Sequence, residues 1–100
     1  MKVFVFDLNP SAYEAIAVST SAIGFTATLI RERSVVGAFI TLETGQVRFR
    51  MDGTDPSSTT GHLLEIGQSL TLKSRAAVEK IKFIKTGDTS GALKVTYLNE

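Results

Sequence analysis

The chain contains no cysteine and no tryptophan, and only one histidine. Without cysteine there is no disulfide, and no thiolate to serve as nucleophile or soft metal ligand. The same absence leaves the redox compartment open. A lone histidine, His62, cannot build a zinc site, which normally takes about three or four protein ligands. Without tryptophan, the six Phe and two Tyr must carry any aromatic contact with a partner or a sugar. Strong charge of either sign is also missing. Eleven Lys and Arg against ten Asp and Glu leave a net charge of +1, which argues against a dedicated nucleic-acid binder. Long apolar runs are absent as well. Met1-Lys2-Val3-Phe4-Val5-Phe6-Asp7 offers one basic residue and four apolar ones, too few for a signal-peptide core or a membrane span. The expectation is a chain made in a cytoplasm that keeps its N-terminus and has no membrane partner.

What is present is enough for one core. A chain of 100 residues with 43% apolar content is expected to form a single domain over residues 1–100. A chain of this size buries roughly 60–70% of the surface its unfolded form exposes. Little is left over for a catalytic cleft, and contacts between copies would add to a modest stability.

The chain reads as alternating apolar and polar segments broken by turn residues at intervals of about ten. Val47, Phe49 and Met51 fall on one face of a strand, and Arg48 and Arg50 on the other. Earlier, Val3 to Phe6 is closed by Asp7-Leu8-Asn9-Pro10, with Pro10 excluded from a central strand. Residues 1–10 are therefore a candidate extended arm. Strands are expected over Glu14 to Ser19 and over Ala22 to Ile30, with Phe25, Ala27 and Leu29 on one face and Gly24 at a bulge. Val35 to Glu43 follows, and Thr44-Gly45 is a hairpin signal returning along Gln46 to Met51. This pairing sets Ala38, Ile40 and Leu42, or Phe39, against Val47, Phe49 and Met51. The polar loop Asp52 to Gly61 leads to strands at His62 to Ile66 and Ser69 to Lys73, the latter with Leu70 and Leu72 inward. Ser74 to Glu79 is the one place for a short helical turn, capped by Ser74. Lys80 to Lys85 alternates again, Thr86 to Gly91 reads as a hairpin loop, and Leu93, Val95 and Tyr97 share one face of the last strand. The fold expected is all-β: a small antiparallel sandwich, Ig-like or jelly-roll-like.

The chemistry-bearing residues support shape more than reaction. Asp52 and Asp55 flank Gly53, yet a hard divalent ion takes about six or more oxygens, and Asp-Gly and Asp-Pro are also turn formers. His62 has hydroxyls nearby at Ser57, Ser58, Thr59 and Thr60, but there is no nucleophile elbow. Gly87 and Gly91 bracket a loop with no strand-to-helix transition after it, so it is not a phosphate loop. No catalytic, cofactor-binding or metal residue is assigned, and an enzyme is not expected. Arg48 and Arg50, joined by Lys80 and Lys82 from a neighbouring strand, form a candidate basic contact face. Phe4 and Phe6 are candidate partner contacts on the arm, which can add as a strand to an adjacent subunit.

Two resemblances follow from these segments. The stretch Val47 to Ile84, with Asp52-Gly53-Thr54 and Pro56 and the later Leu70, Leu72, Ile81 and Phe83, resembles the Ig-like domain at the C-terminal end of chitobiase-type glycosidases. It implies a β-sandwich accessory module. Most of the chain resembles small structural proteins of tailed bacteriophages. The matching parts are the small-residue opening Ala17 to Phe25, Ala38 to Thr44, Arg48 to Thr54, Gly61 to Leu64 and Lys82 to Gly87. This resemblance implies a virion component. The expectation is a capsid decoration or cement protein in the virion, binding the major capsid protein or other virion proteins as a homo-oligomer, with no cofactor. A head–tail connector, a tail or fibre component and a carbohydrate-binding module are the alternatives.

Overall fold

A computed structural model of the chain describes residues 8–100. Phe4 and Phe6, and all but the last three residues of the candidate arm, lie outside the described residues. The fold is a small β-sandwich of two antiparallel sheets. Seven strands run β1 (Asn9–Val18), β2 (Gly37–Glu43), β3 (Val47–Arg50), β4 (His62–Leu64), β5 (Ser69–Leu72), β6 (Lys82–Lys85) and β7 (Gly91–Asn99). A four-stranded sheet has the order β1-β7-β2-β5, and a three-stranded sheet the order β4-β3-β6.

The period-2 pattern decides what is buried. In the larger sheet Ile16, Val18, Ala38, Ile40, Leu42, Leu93, Val95 and Tyr97 turn inward, and in the smaller one Val47, Phe49, Leu64 and Phe83 do. Phe83 lies between Phe25 and Phe49, each with its ring centroid 5.9 Å away, and Phe25 meets Tyr97 edge-on at 5.4 Å. Aromatic rings thus bridge the two sheets at offset geometry.

The route of the chain differs from the expected hairpins. β2 pairs with β5 and β7, and β3 pairs with β4 and β6. Thr44-Gly45 therefore turns the chain from one sheet into the other, rather than folding β2 back on β3. Residues 86–90 make a second crossing at the same end, carrying β6 into β7. The two crossings pack tightly. Thr44 Oγ1 donates to the Ser90 carbonyl at 2.7 Å, and a Cβ on Gly91 would sit 2.6 Å from Val47 Cγ1. Glycine is required there by close approach. Met51 lies beyond β3 and is exposed, not part of the inner face.

The strand expected over Ala22 to Ile30 is replaced. Ile23 forms a bridge to Phe83, and a helix, α1 (Ala27–Glu32), follows. Leu29 and Ile30, which a strand would point to opposite faces, both pack on the core from this helix, and Ala27, expected to share a face with Phe25 and Leu29, is exposed. The helix ends in a Schellman-type turn: Ser34 takes φ 52°, and Val35 N donates to the Ile30 carbonyl at 3.1 Å. The second helix, α2 (Arg75–Lys80), lies where a helical turn was expected, and Ser74 Oγ accepts from Ala77 N at 3.0 Å. Among the described residues there are thus two short helices rather than at most one.

Candidate functional site

The basic residues expected on one face are partly assembled there. Arg48 and Arg50 lie on the outer face of β3, and Lys82 stands directly opposite Arg50 on β6. Lys80 is elsewhere: it ends α2 and belongs to no strand, because the alternation of Lys80 to Lys85 begins only at Lys82.

Each cation of this face is engaged by the loop between β3 and β4. Arg48 Nε donates to the Ser58 carbonyl at 3.1 Å, and its Nη1 to the Gly61 carbonyl at 2.9 Å. Arg50 forks onto Asp52 through Nε and Nη2, and Lys82 Nζ donates to Asp55 Oδ1 at 3.0 Å. Two cations face to face on adjacent strands repel, and Asp52 and Asp55 offset that repulsion. The bond from Arg50, then the one from Thr54 N, hold the Asp52 carboxyl below its ordinary range. The same bond raises the Arg50 guanidinium. Asp52 Oδ1 also accepts from Thr54 N at 3.2 Å, an Asx turn. The arrangement clamps a loop.

His62 packs its ring against Phe49 at 5.4 Å. Beside it Arg50, Met51, Asp52 and Gly61 line an open hollow of about 580 Å³. Among the described residues no three His, Cys, Asp or Glu side chains gather to hold a metal ion.

The outer face of the four-stranded sheet has a different character. Its register aligns Tyr13, Thr96, Phe39 and Thr71 in one row across β1, β7, β2 and β5. The next row is Ala15, Lys94, Thr41 and Ser69, followed by Ala17, Ala92 and Glu43. Tyr13 is 63% exposed and Phe39 43%, so Tyr13 does not have the buried placement expected of the aromatics. Both pair with Thr96, which sets their Cα atoms roughly 10 Å apart by antiparallel geometry. In these rows the charged side chains are Lys94 and Glu43, which lie diagonally on neighbouring strands and approach to 4.0 Å. This face escaped the sequence reading, although its signal was there: Ile16 and Val18 inward force Tyr13 outward, and Ala38, Ile40 and Leu42 inward do the same to Phe39.

Glu14 falls on the inward side of β1, opposite Val95. It accepts hydrogen bonds from the Tyr97 phenol and from Thr26 Oγ1. Burial first, and then the bond to Glu14, push the Tyr97 phenol far above its ordinary value. This contact ties β1, β7 and the start of α1 together.

No family model, curated protein or solved structure matches this chain.

Proposed function

We propose that this protein is a non-enzymatic, cofactor-free virion structural protein of a tailed bacteriophage, a capsid decoration or cement protein that binds the major capsid protein and stabilises the head. The observation that carries this reading is the outer face of the four-stranded sheet. Tyr13 and Phe39 stand exposed in one row among small, neutral neighbours. Docking surfaces between proteins depend on a few aromatic anchors inside a ring of contacts that exclude water. Short neutral side chains let a broad partner approach closely, and the Lys94–Glu43 pair leaves no uncompensated charge in these rows to desolvate. The resemblance of most of the chain to phage structural proteins points the same way.

The test mixes purified protein with capsids lacking it and measures pelleting and capsid melting. Saturable binding that raises the capsid melting temperature is expected, and Tyr13→Ser with Phe39→Ser should abolish it without unfolding the protein. Absence of binding moves the assignment to the neck or tail. The same two rings also fit a second reading, a carbohydrate-binding accessory module, since exposed aromatics on a flat sheet can stack on sugar rings. Retention of the wild-type protein on a glycan array, lost in the double variant, would favour it.

A further inference from the structure

Among the described residues the sandwich has four sheet edges, and three of them are blunted. β5 spans four residues and β4 three. The outer edge of β6 is covered by the segment that follows β1: Ile23 N donates to the Phe83 carbonyl at 2.9 Å, Phe83 N to the Ile23 carbonyl at 2.8 Å, and Lys85 N to the Ser19 carbonyl at 3.0 Å. β1 is different. It runs ten residues, pairs along one side with β7, and among the described residues no strand pairs with its other side.

The devices that normally protect such an edge are confined or turned away. Pro10 and the irregularity before Ala12 occupy only its start, where Arg33 Nη1 also donates to the Ser11 carbonyl at 3.2 Å. From Ala12 to Val18 there is no Lys, Arg, Pro or Gly. The one charged side chain, Glu14, faces the interior and is held by Tyr97 and Thr26. Ala15 and Ala17 leave room for a strand at hydrogen-bonding distance.

We infer that β1 is the contact edge of a homodimer, in which two copies pair β1 with β1 antiparallel across a two-fold axis near Ala15. A second copy fits because the edge is self-complementary. It is electrically neutral toward its own image, so identical strands meet without like charges opposed, as an isologous contact requires. Antiparallel pairing about that axis joins two four-stranded sheets into one of twice the width, with both outer faces on the same side. The two Tyr13 side chains then lie near its centre, and the docking rows are doubled, which raises avidity for a repetitive partner. The inference does not depend on what that partner is.

Sedimentation of the full chain over a concentration range, together with single-cysteine crosslinking, tests it. The chain has no cysteine, so each introduced thiol is unique. A monomer–dimer equilibrium is expected. A short bis-maleimide should link Ala15→Cys into dimers and leave Ser69→Cys, on the opposite edge strand, monomeric. Ala15→Glu faces Lys94 within one copy but sets Glu near Glu across the axis. It should keep its circular dichroism spectrum and weaken dimerisation at least about tenfold. A monomer up to the highest soluble concentration overturns the inference, as does a trimer or larger ring. So does a dimer that Ser69→Cys captures equally well or that Ala15→Glu leaves intact. A monomer that still binds capsids through Tyr13 and Phe39 would overturn this inference alone.

Discussion

At the scale of single residues, the sharpest test of the packing is Phe49. It is 7% exposed and lies between the rings of Phe83 and His62. Phe49→Ala should destabilise the fold by about 3–5 kcal/mol, as large aromatic truncations in cores do. Urea unfolding would measure this, and an unchanged midpoint would refute the placement. Tyr97 gives a pH prediction. Its folded-state value is raised by burial and by the bond to Glu14, so the folded protein keeps a proton that the unfolded chain loses. The stabilisation is therefore fully present below the unfolded value of about 10, and is lost as pH climbs from there toward the folded value. Melting temperature should fall above that point in the wild type. Tyr97→Phe should remove this part of the slope and cost about 1 kcal/mol at neutral pH through the lost hydrogen bond. Equal alkaline slopes in the two proteins would count against the assignment. These residues also show what was readable in advance. Phe49 and Tyr97 were assigned to inner strand faces from alternation alone. Tyr13 is the exception among the aromatics expected at buried positions: Ile16 and Val18 take the inward parity of β1, which leaves Tyr13 exposed.

Elements divide by how local their signals are. The α2 cap was legible because Ser74, followed by Ala76, Ala77 and Val78, carries its own start signal, and the Ser74 Oγ bond to Ala77 N is local. Ser74→Ala should cost about 1 kcal/mol, read as a lower thermal midpoint. No change would mean that α2 is held by its buried Val78 rather than by its cap. α1 replaces the expected strand because Phe25, Ala27 and Leu29 alternate as a strand face does, while Leu29 and Ile30 can both reach the core only from a helix. The choice was made by Ile30 entering the core and by the turn at Ser34, which closes Val35 onto Ile30. Arg48 shows the same limit. Its outward placement follows from alternation, whereas its two bonds to the Ser58 and Gly61 carbonyls depend on how the loop between β3 and β4 folds back.

For the whole molecule, the clamp on the loop after β3 has a measurable consequence. Asp52 and Asp55 are engaged by Arg50 and Lys82, so millimolar Ca²⁺ should leave the melting temperature unchanged. A ligand that binds only the folded state raises it, and a clear upward shift would show that the carboxylates prefer the ion. The sequence by itself determined the β class, the alternation that buries one face of each strand, the turn at Asp52-Gly53 and the cap at Ser74. All of these follow from interactions within a few residues. Only the tertiary structure decided which strand lies beside which. A period-2 pattern specifies a face but not a partner, so a hairpin at Thr44-Gly45 and a crossing between sheets look alike in sequence. The crossing prevails because it turns the apolar face of β2 onto that of β3, which a hairpin within one sheet would leave side by side. The row of Tyr13, Thr96 and Phe39 came from the same source. Residues that far apart in the chain share a surface only through the register of three strands.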